Sequence, residues 1–164
     1  MTLSRFRPGA AALLLLTCLA LSGCMSVLDL GGASGTGAGV TGSATGKVAS
    51  YRQAQGLSRL RADRDLEAAA LAQASNMQRA GRMSHNTGGG RDFASRMRGR
   101  ETNGAAAENI AYGRFDLDRV LEVWMNSAGH RKNILDPRFS RFGVAYVSDP
   151  GDATRRYWAM VLAK

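Results

Sequence analysis

Both cysteines of this 164-residue chain, Cys18 and Cys24, fall at its N-terminal end. Everything beyond them must fold without a disulfide and without a thiolate-held metal, so a hydrophobic core and hydrogen bonds have to suffice. The length is enough for one domain with its own core. An apolar content of 45% is ordinary for a globular protein.

The cysteines belong to an export pattern. Arg5 and Arg7 precede the short apolar run Ala11–Leu21, which is well under the ~20 apolar residues that span a bilayer. The run ends in Leu21-Ser22-Gly23-Cys24, which resembles a bacterial lipobox. Residues 1–23 are thus read as a lipoprotein signal peptide and Cys24 as the lipid-attachment site. Several acyl chains would anchor the protein firmly, since one chain alone binds marginally. Met25 follows the cysteine. By resemblance to Gram-negative lipoproteins, this favours the outer membrane over retention at the inner one. Residues 24–46, rich in Gly, Ser, Thr and Ala, are expected to be a lipid-anchored flexible linker.

A folded domain is expected over 47–164. Helices are predicted at Val48–Gln55, Asp65–Ala80 and Arg91–Arg98. Acidic residues sit at the start and arginines at the end of the second, matching its dipole. A turn-rich AENIAYG stretch comes next. Leu117, Val120, Leu121 and Trp124 then recur at i, i+3, i+4, i+7, the spacing of an amphipathic helix. Asp116 can cap this helix, and Gly129 is the expected left-handed stop. Arg141–Ser148 and Arg155–Leu162 read as strands joined by the turn Asp149–Asp152, a hairpin. Helices first and antiparallel strands later predict an α+β fold. Trp124, Trp158, Tyr146 and Phe142 are candidate core residues.

The formal net charge is +9. An exported domain of that charge is drawn to anionic surfaces, such as lipid headgroups or wall polymers, although scattered arginines that merely solvate the surface would read the same way. No nucleic-acid partner is expected, because no basic helix interleaved with stacking aromatics is present. The two histidines, His85 and His130, both stand near glycines at predicted element ends. Two imidazoles with the carboxylate of Glu108 are a sensible donor set for Zn²⁺ or another divalent metal, leaving one position for water. Their separation in sequence matches no local metal motif. The competing reading makes them a helix cap, a loop residue and a backbone-bonded carboxylate.

Several motifs occur in order: Tyr51-Arg52 with Gly56-Leu57, Met83-Ser84-His85, Ala107-Glu108-Asn109-Ile110-Ala111, Trp124-Met125-Asn126-Ser127, Gly129-His130-Arg131, Asn133-Ile134-Leu135 and Tyr157-Trp158. Together they resemble the SCP domain of the CAP superfamily (cysteine-rich secretory protein, antigen 5, pathogenesis-related 1) in its bacterial, disulfide-free branch. The resemblance implies an α–β–α sandwich with a central antiparallel sheet and a large cleft. It implies that His85, Glu108 and His130 line that cleft as the metal set, with Ser127, Asn126 and Asn109 beside them. Ser127 stands where relatives carry a second glutamate.

Two functions follow. One is a cell-envelope lipoprotein whose cleft binds a lipid-like ligand or an anionic envelope polymer, with a metal shaping the cleft. The other is a hydrolase of peptide or ester substrates, using metal-bound water with Glu108 as base or Ser127 with His130 as base. No G-x-S-x-G elbow is present, and the resemblance does not carry catalysis as a general property. Binding is therefore the reading preferred, with no catalytic residue assigned.

Overall fold

The computed structural model describes residues 36–102 and 104–164. Its elements run β1 Gly37–Gly39, α1 Thr41–Gln53, β2 Arg61–Ala62, α2 Arg64–Ala80, α3 Phe93–Met97, β3 Ala106–Gly113, α4 Leu117–Asn126, α5 Ala128–Ile134, β4 Arg141–Asp149 and β5 Asp152–Ala163. The sheet order is β1-β4-β5-β3, all antiparallel, and the two-residue β2 adds a short parallel pairing to β4.

Strand β5 explains the layers. Side chains alternate along a strand, and both faces of this one are covered. Trp158, Met160 and Leu162 join Val48, Val120, Leu121, Trp124 and Ile134 in a core beneath α1, α4 and α5. Tyr157, Ala159, Val161 and Ala163 join Leu66, Ala69, Ala70 and Met77 in a second core beneath α2. The result is the three-layer α–β–α sandwich expected from the motifs.

Asp63 caps α2, accepting from the amides of Asp65 and Leu66, and Gly81 ends it at φ +61. The helix start lies directly on β4. A Cβ at Gly143 would fall 2.0 Å from the Glu67 nitrogen and 2.2 Å from the Leu66 carbonyl carbon. Only a glycine allows that approach. The predicted hairpin forms from β4 and β5, with Asp149 opposite Asp152.

Four expectations need correction. Residues 37–46, read as part of the linker, lie in β1 and the first turns of α1. They bury little apolar area, and hydrogen bonds hold them instead. Thr41 donates its amide to Glu67 at 2.8 Å and its hydroxyl accepts from the Val144 amide at 2.9 Å. AENIAYG is not a turn but most of strand β3, paired with β5 along its length. Gly129 does not end a helix. It lies inside α5 and is not among the left-handed glycines, because the chain breaks direction two residues earlier, at Ser127. Tyr146 is half-buried rather than core, its ring tilted 42° against Trp158 at 4.9 Å with Arg156 over it. The signal peptide and Cys24 lie outside the described residues.

Two glycine-to-alanine changes should have opposite signs. Gly143→Ala forces α2 off the sheet and should destabilise the domain by at least ~1–3 kcal/mol. Gly46→Ala, inside α1 with open space at its Cβ, should stabilise it by ~0.5–1 kcal/mol. Urea unfolding monitored by the buried tryptophans measures both.

Candidate functional site

Adjacent residues of β3 face opposite layers of the sandwich, and this arrangement assembles the site. Glu108 pairs in register with Val161, and so points to the α2 side. Asn109 pairs with Met160 and points to the α4–α5 side. The strand lies at the edge of the sheet. Its outward carbonyls are taken by side chains, that of Ile110 by the Trp124 indole at 3.2 Å and that of Glu108 by Asn133 at 3.5 Å.

On the α2 side, Glu108 receives two partners. His85 Nδ1 lies 2.8 Å from Oε1, and the Arg96 guanidinium donates to Oε2 at 2.6 Å. A carboxylate facing a guanidinium accepts, so the His85 proton on this edge sits on Nδ1. The carboxylate and the guanidinium are buried, at 2% and 7% side-chain exposure, whereas the imidazole is 55% exposed. His85 is placed by the chain that leaves α2. Gln73 on that helix donates to the Ser84 carbonyl at 2.7 Å. Arg96 comes from α3, whose start is capped by Asp92 through the Ser95 amide. It also donates to the carbonyls of His85 and Arg91, so one guanidinium ties the His85 loop to β3.

On the other side, Asn109 is fully buried. It donates to the His130 carbonyl at 3.1 Å and accepts from Asn133 at 2.8 Å. It therefore holds α5, and with it His130, against β3. The His130 Nδ1 is buried with no partner among the described residues. Burial holds this imidazole below its ordinary pKa of 6.5, and the charge of His85 adds to the effect. The two histidines thus approach β3 from opposite layers.

The remaining expected residues sit at the α4–α5 junction. Ser127 closes α4 and opens α5 without a side-chain cap bond. Asn126 is exposed on the last turn of α4. Among the described residues, no hydrogen bond joins Ser127 to His130.

The metal set His85, Glu108 and His130 does not fit as expected. Glu108 is engaged at both oxygens, Oε1 by His85 and Oε2 by the buried Arg96 guanidinium, so a metal ion there would be placed beside a fixed cation. Among the described residues no group of three or more His, Cys, Asp or Glu is placed to hold a metal ion. Arg96 was missed in the sequence. It is one of four arginines between residues 91 and 100, and nothing local separates the one that turns inward from the others.

Arg96 also lines a neighbouring hollow of about 520 Å³, with Arg98, Arg100, Arg141, Asp65 and Glu101 on its walls. Arg141 is paired with Asp63 at 2.9 Å. The Arg100 guanidinium donates to the carbonyls of Arg96 and Asp65. Among the described residues, neither Arg98 nor Arg100 has a carboxylate partner.

Comparison with known proteins agrees with this architecture. Residues 45–162 match the cysteine-rich secretory protein family, CAP. The chain is 36% identical over 107 residues to YkwD of Bacillus subtilis, a match covering 65% of this chain but only 42% of that protein. It thus spans less than half of that relative. An extracellular SCP-domain protein of Bacillus anthracis superposes with a TM-score of 0.66 at 26% identity, covering 76% of this chain and 40% of the other. An outer surface protein of Borrelia burgdorferi shares the fold, with a TM-score of 0.68 at 19% identity over 79% of this chain and 98% of that one.

The depressed pKa of His130 has a signed consequence. The unfolded chain takes up the proton near pH 6.5 and the folded chain only at lower pH, so the neutral imidazole's contribution to stability is present above about 6.5. That contribution should be lost as pH falls through the folded value. His130→Gln should flatten this part of the loss in urea unfolding between neutral and mildly acid pH.

Proposed function

Since the chain belongs to the cysteine-rich secretory protein family, we propose that it is a lipid-tethered module of the bacterial cell envelope whose domain binds an anionic envelope component, lipid-like or polymeric. Binding, not turnover, is its activity in this reading. The observation that carries it is the arginine-lined hollow, which shares Arg96 with the cleft and offers the guanidiniums of Arg98 and Arg100. Arginine suits phosphate and carboxylate groups through its planar fork of donors. The overall charge of +9 acts in the same direction at longer range.

The location rests on Leu21-Ser22-Gly23-Cys24 and on Met25, which favour an acylated Cys24 at the outer membrane. The structural relatives described as extracellular or outer surface proteins agree with an exported address. Hydrolysis finds less support. A nucleophile needs a base within hydrogen-bond reach, but Ser127 and His130 share no hydrogen bond among the described residues. Glu108, meanwhile, is held by His85 and Arg96.

Two measurements test this reading. Cys24→Ser should move the protein from the membrane fraction to the soluble fraction and abolish labelling by radioactive palmitate. Persistence in the membrane without label would remove the tether. The unacylated variant should also co-sediment with vesicles containing phosphatidylglycerol and not with pure phosphatidylcholine. This binding should fade with added salt, as the Debye length shrinks from ~10 Å at 0.1 M to ~3 Å at 1 M. Replacing both Arg98 and Arg100 by alanine should weaken it roughly tenfold or more. Equal binding to neutral vesicles would remove the anionic ligand.

A further inference from the structure

We propose that the segment Val27–Leu30 docks on the end of the sheet at Tyr146 and Arg156, with Asp29 paired to the Arg156 guanidinium. This docking is independent of which envelope component binds.

The face is incomplete in a specific way. Tyr146 pairs with Trp158 across β4 and β5, and Ser148 pairs with Arg156 two residues along. The three larger side chains share the α1–α4 side of the sheet. The guanidinium lies 4.4 Å from the Tyr146 ring centre and 5.9 Å from that of Trp158. Neighbouring cations have a carboxylate: Arg114 pairs with Asp152 at 2.7 Å, and Arg155 lies 3.9 Å from the same residue. Among the described residues Arg156 has none, and its Nε and the Trp158 Nε1 are buried without an acceptor. A ring face attracts a cation but does not replace the acceptor that a buried N–H needs. The surroundings are apolar. Phe115 stands over Gly113, which is in register with Arg156, and Val40 and Tyr146 pack half-buried against the same core. A segment that completes this face must bring a carboxylate among apolar side chains.

One stretch outside the described residues has that composition and that position. Asp29 is the only acidic residue before Asp63, and Val27, Leu28 and Leu30 surround it, whereas 31–39 contain no large apolar residue. The described chain begins at Thr36, whose carbonyl accepts from the Ser148 amide at 3.0 Å. Ser148 is the residue beside Arg156, so the segment is delivered next to its target. Adjacent strands are roughly 5 Å apart, and the chain between Asp29 and Thr36 can reach up to roughly 25 Å. Gly31 and Gly32 allow the reversal. Once docked, only Met25 and Ser26 separate Cys24 from the domain, a leash of roughly 10 Å. The end of the sheet that carries Arg156 then faces the membrane to which Cys24 is tied.

The test is hydrogen exchange read by mass spectrometry on the protein as the cell exports it, in peptides covering 25–35. Amides 27–30 should exchange at least about tenfold more slowly than in Asp29→Lys. Arg156→Glu should lose the same protection, and Asp29→Lys combined with Arg156→Glu should regain it. In nuclear magnetic resonance, the indole proton of Trp158 should shift in Asp29→Lys. That of Trp124, bonded to the Ile110 carbonyl, should stay in place. Asp29→Lys alters no described residue, so the indole readout decides the matter even if Arg156→Glu fails to fold. Docking is overturned if wild-type amides 27–30 exchange as fast as those of Asp29→Lys, or if the Trp158 proton does not respond. Protection that rises with protein concentration would put the segment on a second copy and overturn it equally, as would a well-folded double variant without protection.

Discussion

The contact that sets the rest of the structure is the seat of α2 on β4 at Gly143. The helix backbone comes so close to the strand there that even one methyl group has no room. Several bonds hold it down. Asp63 caps the helix while pairing with Arg141, the first residue of β4. Glu67, one turn along, accepts from the Thr41 amide and so draws the start of α1 to the same place. The interface beyond is built from Ala69, Ala70, Ala145 and Ala159, whose small side chains keep helix and sheet close. The opposite face has a different device. Arg52 is completely buried, and its guanidinium donates to the carbonyls of Ser58, Ile134, Asp136 and Phe139. It gathers the ends of α1 and α5 and the chain leading into β4. Burial lowers its pKa, and the four carbonyl contacts supply its hydrogen bonds in place of water.

With both outer layers fixed, β3 becomes the joint between them. The alternation of a strand sends Glu108 to one layer and Asn109 to the other. Each grips a histidine-bearing segment, Glu108 through the ring of His85 and Asn109 through the backbone of His130. The cleft therefore owes its shape to two consecutive residues rather than to a preformed metal cage. The ion pair of Glu108 and Arg96 is largely removed from water, a setting in which each partner is costly to leave without the other.

The parts legible in the sequence were those with a strong repeat or cap. Helix α2 was clear because its charges follow the dipole and its small apolar residues recur, and α4 because Asp116 precedes an unbroken stripe. Strands β4 and β5 showed themselves by β-branched and aromatic residues. The illegible parts are held by other means. Strand β3 reads AAENIAYG, with Glu108 and Asn109 adjacent in the middle of its Ala, Ile and Tyr, so no period of two shows, and pairing with β5 decides its conformation. The first turns of α1 look like a linker because Thr41 and Ala44 bury little area, and tertiary hydrogen bonds make up the difference. For the site, His85, Glu108 and His130 were identifiable by residue type and motif. The partner of Glu108 was not, since which of several nearby arginines turns inward is decided by the packing of Phe93 and Met97 around α3.

The strand order carries one last consequence. Strand β1 lies at one margin of the sheet and β3 at the other, with β4 and β5 between them. At the usual strand spacing the margins are roughly 14 Å apart. A pull arriving from the N-terminal side enters at Thr36 and loads β1 against β4. The cleft strand stands two ladders farther in, so a force applied from that side would peel the β1 margin first and leave the edge that faces the histidines undisturbed.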